Sequence, residues 1–182
     1  MQKLINLDIS EYPNLVDTKN YFLFSYFLGG INFVDLIQLK WSNIIDNRIR
    51  YVRSKTKGVF DFAIQPHVES ILSYYRRKPQ TTDYIFPILL HNNLSPQQIL
   101  YRKTKTLKKF NSELKELAKL AGIESKLTSY VARHSFATNL KQLGESIEVI
   151  AESLGHKNVS YTVPYLKSFD KSVLDKAMGK LS

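Results

Sequence analysis

A guanidinium, two imidazoles and a phenol fall within one short stretch of this 182-residue sequence: Ser129-Tyr130-Val131-Ala132-Arg133-His134, then Leu154-Gly155-His156, then Pro164-Tyr165. Far upstream, Lys55 stands in Tyr51-Val52-Arg53-Ser54-Lys55-Thr56. These group types suit a phosphodiester, whose own charge repels nucleophiles. A catalyst must neutralise its non-bridging oxygens, align the attacking oxygen and protonate the leaving one. A guanidinium presents paired, planar donors and keeps its proton. Taken singly, each residue has an ordinary reading. Tyr165 is one of eleven tyrosines, and most tyrosines only pack. Arg133 alone reads as a surface ion-pair partner, His156 as a complement to a helix C-terminus, Lys55 as an edge-strand charge, and Asp35 as a solvated helix carboxylate as readily as one that orients an arginine in the site. The order and spacing of the whole set carry the chemistry.

Composition agrees with an anionic partner. The formal charge is +10 and the pI about 9.6, and a basic surface gains free energy on DNA by releasing condensed counterions. The absence of cysteine excludes a disulfide scaffold, a thiolate metal site and thiol catalysis, and fits a reducing cytoplasm. The N-terminal Met-Gln-Lys-Leu-Ile-Asn-Leu-Asp carries an early acid and no long apolar core, so no signal peptide is read. Tyr21 to Leu28, the most apolar stretch, is too short to span a bilayer. A soluble, cytoplasmic protein is expected, without a membrane partner.

Helices and one hairpin must bring these groups together. Asp17 is expected to cap a helix through Leu28, with Phe22, Leu23, Tyr26 and Phe27 on its apolar face and Gly29-Gly30 at its end. A second helix is predicted over Phe33 to Trp41, burying the side of Phe33, Leu36, Ile37 and Lys40. Asn47 turns the chain into Arg48 to Lys55, where Ile49, Tyr51 and Arg53 alternate with Arg48, Arg50 and Val52 as in a half-exposed strand. Thr56-Lys57-Gly58 is a turn and Val59 to Ile64 the returning strand, which sets Lys55 beside a hairpin tip. Pro66 starts a helix to about Tyr75, closed by the Arg76 to Pro79 run. Ser95-Pro96 reads as a helix start; Thr104 to Thr106 marks a break or a continuation, and Phe110, Leu114, Leu117 and Ala121 keep helical spacing until Gly122. Thr128 is expected to cap the next helix, with Val131, Phe136 and Leu140 inward. Ser146 is expected to cap the last, with Ile147, Ile150, Ala151 and Leu154 on one side and Gly155 after it. No repeat or interior linker appears. The fold class is mainly α with a small antiparallel β-sheet, an α+β domain over residues 1–182.

The ordered motifs resemble the tyrosine recombinase (phage integrase) family, whose pattern is His-x-x-Arg-His, then Leu-Gly-His, then a nucleophilic tyrosine at this spacing. Tyr51 to Thr56 resembles the hairpin that bears the family's catalytic lysine. Gly30-Ile31-Asn32-Phe33-Val34-Asp35-Leu36, followed by Leu39-Lys40-Trp41, resembles its first motif. The resemblance covers essentially the whole chain, in the wording of integrases carried by mobile elements of Bacteroidetes-type bacteria. It implies the family's catalytic-domain fold and site-specific cleavage and rejoining of DNA, for integration or excision. Tyr165 would attack phosphorus to leave a 3′-phosphotyrosine and a free 5′-hydroxyl, keeping the bond energy so that rejoining needs no ATP. Arg133 would clamp the phosphate, Lys55 would protonate the departing oxygen, His156 would hydrogen-bond the phosphate, and His134 would brace the Arg133 region. No metal or cofactor is implied. The implied partners are double-stranded DNA and, on DNA, three further copies of the chain in a tetramer, with a monomer in solution. By the same resemblance, residues 1–182 are expected to be the catalytic domain alone, without the family's N-terminal core-binding domain.

Two positions depart from the family pattern. The first arginine falls on Asn32, and no arginine lies between Tyr21 and Ile45; Arg53 and Arg50 are the candidate replacements. Tyr130 stands where the first histidine is usual, and a phenol of pKa about 10 is a poorer base near neutrality. Pro164 places Tyr165 in the first turn of its helix. Arg53, Arg102, Lys103, Lys105, Lys108 and Lys109 are the expected DNA-binding cations. An amphipathic tail over residues 168–182, with Val173, Leu174, Ala177 and Leu181 on one face, is expected to pack on a neighbouring protomer or on its own core. The rival readings are a recombinase relic that only binds DNA and a type IB topoisomerase.

Overall fold

The computed structural model describes residues 1–166 and 178–179. The predicted tail at 168–182 lies almost wholly outside them. Helices dominate, and a three-stranded antiparallel sheet lies to one side, as the sequence leads one to expect. The helices are α1 (Gln2–Ile5), α2 (Val16–Phe27), α3 (Phe33–Leu36), α4 (Pro66–Arg76), α5 (Pro96–Leu120), α6 (Val131–Gln142) and α7 (Ile147–Ser153); the strands are β1 (Ile44–Ile45), β2 (Arg48–Val52) and β3 (Val59–Ala63), in the order β1-β2-β3.

The core forms around α2, whose Tyr21, Phe22, Leu23 and Phe24 are all buried. Tyr21, Phe24 and Tyr75 set their ring edges on Phe86 at centroid distances of 5.3, 4.9 and 5.1 Å, the edge-to-face packing that the aromatic quadrupole favours. Asp17 does not cap this helix. It lies within the first turn, where its carboxylate accepts the Tyr75 hydroxyl at 2.8 Å. A second, smaller apolar cluster joins α6 to α7 through Ala137, Ile150 and Leu154, with Phe136, Leu140, Tyr165 and Leu166 against it.

The helix predicted to reach Trp41 ends at Leu36. Leu39 then pairs outward, its carbonyl accepting Ile85 N–H at 2.9 Å, and residues 41–43 form a 3₁₀ turn. Phe33, Leu36 and Ile37 are buried as expected, whereas Lys40 reaches Asp83 at 3.6 Å. Asp46 and Asn47, at φ of 50° and 56°, make the two-residue turn whose twist suits a hairpin. β2 pairs with β3 from Arg48↔Ala63 to Val52↔Val59. Its alternation holds: Ile49, Tyr51 and, beyond the strand end, Arg53 are buried. Ser95 caps α5 with a reciprocal Gln98 contact, and the helix runs unbroken through Thr104 to Thr106. Thr128 is not the cap of α6: Tyr130 occupies that place, and no side chain bonds there. The fully buried residues of α6 are Ala132, Arg133 and Ala137, while Val131, Phe136 and Leu140 are half-buried. Ser146 does cap α7, accepting Val149 N–H at 3.3 Å.

Candidate active site

Arg133 is an arginine inside a core, 3% exposed. It fits because Gly30, at φ +67°, passes so close that a Cβ there would lie 2.9 Å from the Arg133 Cα. Its Nη1 donates to the Gly30 carbonyl at 2.9 Å and its Nη2 to the Leu154 carbonyl at 2.5 Å. Both acceptors lie at helix ends, the first just after α2 and the second at the C-terminus of α7. Burial pulls the guanidinium pKa below its usual value, and the nearby Arg53 charge adds to that. The Arg133 Nε has no partner.

Arg53 enters from the hairpin, 7% exposed, and donates from Nη1 to the same Leu154 carbonyl at 3.0 Å. The Asp35 Oδ2 lies 4.0 Å from its Nε. Asp35, buried on α3, accepts Ser54 N–H at 2.8 Å through its other oxygen, which ties the hairpin to the helix. Asp35 is therefore no solvated carboxylate. Arg50, the other candidate replacement for the missing arginine, points to the opposite face of β2. There it pairs with Asp61 at 2.9 Å, because side chains an odd number of residues apart oppose each other on a strand.

His156 Nε2 lies 3.2 Å from Arg133 Nη2, and its Nδ1 lies 3.0 Å from the Thr162 hydroxyl. Arginine only donates, so Nε2 accepts and the ring proton is assigned to Nδ1. Burial, reinforced by Arg133 and Arg53, pushes the imidazole pKa down to about 4, and the ring is neutral at neutral pH. Thr162, which holds the tautomer, was not legible in the sequence: one threonine among loop residues carries no signal.

Tyr165 closes a 3₁₀ turn over Val163–Tyr165 instead of opening a helix. Its ring stacks on His134 at 4.5 Å and lies 5.2 Å from the His156 ring and 5.8 Å from the Arg133 guanidinium carbon. Its carbonyl accepts the Thr138 hydroxyl at 3.1 Å. His134 thus braces the phenol, which in turn lies beside the Arg133 guanidinium. Tyr130 and Tyr165 share a hydrogen bond through their hydroxyls. Burial and that contact raise the Tyr130 phenol to about 12.

Lys55 is exposed at the hairpin tip. With Asn32, Asp35, Ser54, Tyr130 and Arg133 it lines an open cavity of about 290 Å³, walled on one side by Leu107 of α5. Asn32, Asp35, Lys55, Tyr130 and Arg133 thus share this cavity, and His134, His156 and Tyr165 adjoin it through Tyr130 and Arg133, so five separate segments meet. The expected DNA-binding cations do not form one patch. Arg102, Lys105 and Lys109 line a different cavity with Asp17 and Glu113, and Lys109 pairs with Glu113 at 3.5 Å. Arg102 also donates to the Ile88 carbonyl at 3.1 Å. Lys103 stands one turn before Leu107 and Lys108 is exposed. Arg53 is interior and belongs to the site itself. Among the described residues no group of three or more His, Cys, Asp or Glu is placed to hold a metal, and no helix is long and apolar enough to cross a membrane.

Residues 2–172 match the model of the phage integrase family. The tyrosine recombinase XerD of Rickettsia bellii is 28% identical over 91% of this chain and 64% of its own length. The tyrosine recombinase XerA of Pyrococcus furiosus is 36% identical over 57% of this chain and 32% of its own. This chain spans less than two thirds of either relative. Among solved structures, the Tn1549 transposon integrase in complex with circular intermediate DNA superposes on 98% of this chain at a TM-score of 0.67 and 15% identity, covering 62% of that chain. That likeness is one of fold.

Proposed function

Because the chain belongs to the phage integrase family, we propose that it cuts and rejoins double-stranded DNA at specific sites through a covalent bond between Tyr165 and a 3′-phosphate. One observation carries the reading: the Tyr165 ring packs against both His134 and His156, beside the buried Arg133, in the same chain. A phosphate in the cavity would meet Arg133 from one side and Lys55 from another. The Tyr165 hydroxyl loses its proton to solvent as its oxygen attacks phosphorus, the bond to the 5′-oxygen breaks, and Lys55 delivers the proton that leaving oxygen needs. Arriving phosphate competes with His156 Nε2 for the Arg133 donor. Its negative charge also raises the imidazole pKa, so that Nε2 gains the proton with which to hydrogen-bond the phosphate.

The partners proposed are duplex DNA and, on it, further copies of the chain in a tetramer. The Tn1549 likeness supports a role in moving a mobile element, and the cytoplasm is where such DNA would be met. The DNA-binding-relic reading has little support, since Lys55, Arg133, His156 and Tyr165 all remain and all converge.

Trapping on nicked duplex DNA tests the proposal. Wild type should give an adduct that survives boiling in detergent, and Tyr165→Phe should give none while still retaining DNA. An adduct in Tyr165→Phe would sink the assignment of the nucleophile.

A further inference from the structure

We propose that Arg53 supplies the second positive charge of the phosphate site, the charge that Asn32 cannot provide. The inference rests on the reading of Tyr165 and Arg133 above and adds a residue to it. Two buried guanidiniums, Arg53 and Arg133, donate to one carbonyl oxygen, that of Leu154. Like charges come that close in a core only where something offsets them. The buried Asp35 carboxylate, 4.0 Å from Arg53, offsets one. His156 beside them is neutral. One positive charge is left over, which is what a single phosphodiester anion balances.

The donors point the same way. The Nε of Arg53 and the Nε of Arg133 are both buried and both without a hydrogen-bond partner. Buried polar groups are nearly always paired, so both guanidiniums stay under-satisfied in the free protein, Arg53 with only the Asp35 carboxylate 4.0 Å from its Nε. Arg53 does not line the cavity, whereas Arg133 does. Arg53 therefore acts from behind. It adds field in a region of low dielectric, where a charge counts for more than in water, and it anchors the Leu154 carbonyl that orients Arg133. It is a positioning residue. Its immobility follows from the hairpin: Arg53 N–H donates to the Gly58 carbonyl at 2.9 Å, and Ser54 N–H to Asp35 at 2.8 Å.

The test starts from a pool of nicked duplexes of random flanking sequence, from which the wild-type chain selects its substrate as a covalent adduct. That duplex is then made with either a normal scissile phosphate or a methylphosphonate, which has no charge to neutralise. On the normal phosphate, Arg53→Gln should slow adduct formation by about 10²–10³-fold, the loss typical of one removed electrostatic stabiliser. On the methylphosphonate, the two proteins should differ by less than about tenfold on the same reasoning. Equal slowing on both substrates would mean a merely structural residue and overturns the assignment, as does normal cleavage by Arg53→Gln. Should Arg53→Gln fail to fold, citrulline incorporated at position 53 keeps N–H donors without the charge and is judged by the same comparison. No adduct from the wild-type chain overturns the nucleophile reading together with this one, whereas equal slowing overturns the role of Arg53 alone.

Discussion

Tyr130 faces Tyr165, hydroxyl to hydroxyl, where the family pattern has a histidine. A phenol held near pKa 12 does not take protons at neutral pH, so Tyr130 orients the nucleophile and does not act as its base. One neutral hydrogen bond is worth about 1 kcal/mol, so Tyr130→Phe should slow adduct formation by about tenfold and leave DNA retention unchanged. Loss of all adduct would give Tyr130 a larger part than this. His156 makes a second expectation. Its folded pKa of about 4 lies below the ordinary value of 6.5, so unfolding takes up a proton between those limits. The stability it contributes is complete above about pH 6.5 and is lost as pH falls towards 4. In the free protein its ring resonances should hold steady from pH 8 to about 5.5. Bound duplex should move the titration upward, because an anion favours the imidazolium. A downward or absent shift on binding would place the phosphate elsewhere.

Among the elements, the junction of the hairpin with α7 decides whether the two arginines find their shared acceptor. Gly155, at φ +65°, ends α7 with its Cα so close to Phe60 of β3 that a Cβ would meet the ring at 2.2 Å. Phe60 in turn stacks on Tyr51 at 5.1 Å. Gly155→Ala should therefore destabilise by roughly 1–3 kcal/mol from the left-handed backbone alone, seen as a lower Tm. It should also reduce cleavage by shifting the neighbouring Leu154 carbonyl. Adding Phe60→Leu should relieve the clash and recover only part of the loss. Full recovery would show that the backbone conformation costs nothing.

For the molecule as a whole, the excess charge of +10 predicts DNA binding that weakens steeply as salt rises. Each lysine or arginine that neutralises a phosphate contributes about −0.9 to the slope of log K against log salt. The cations of α5 point in several directions, so neutral substitutions at Lys103, Lys105, Lys108 and Lys109 should split into those that flatten the slope and those that do not. A measured retention slope for each gives the side of α5 on which DNA lies. Slopes that stay unchanged in all four would remove this helix from the interface.

Local signals were enough for much of this protein. Proline and serine at helix starts, glycine at helix ends and alternation in the hairpin placed the long elements, because capping and side-chain periodicity act within a few residues. The ordered set of Lys55, Arg133, His156 and Tyr165 was legible for the same reason, as motif spacing is a property of the chain. Where helices start and stop was less legible: Asp17 and Leu39 turned to Tyr75 and Ile85, partners distant in sequence, and Tyr130 took the place expected of Thr128. The tertiary structure alone decided that Arg53 and Arg133 share the Leu154 carbonyl, that Thr162 sets the His156 tautomer, and that Tyr130 meets Tyr165. Those contacts join residues up to 101 positions apart, and the acceptor that the two arginines share is a main-chain carbonyl, which every residue carries and no sequence pattern marks.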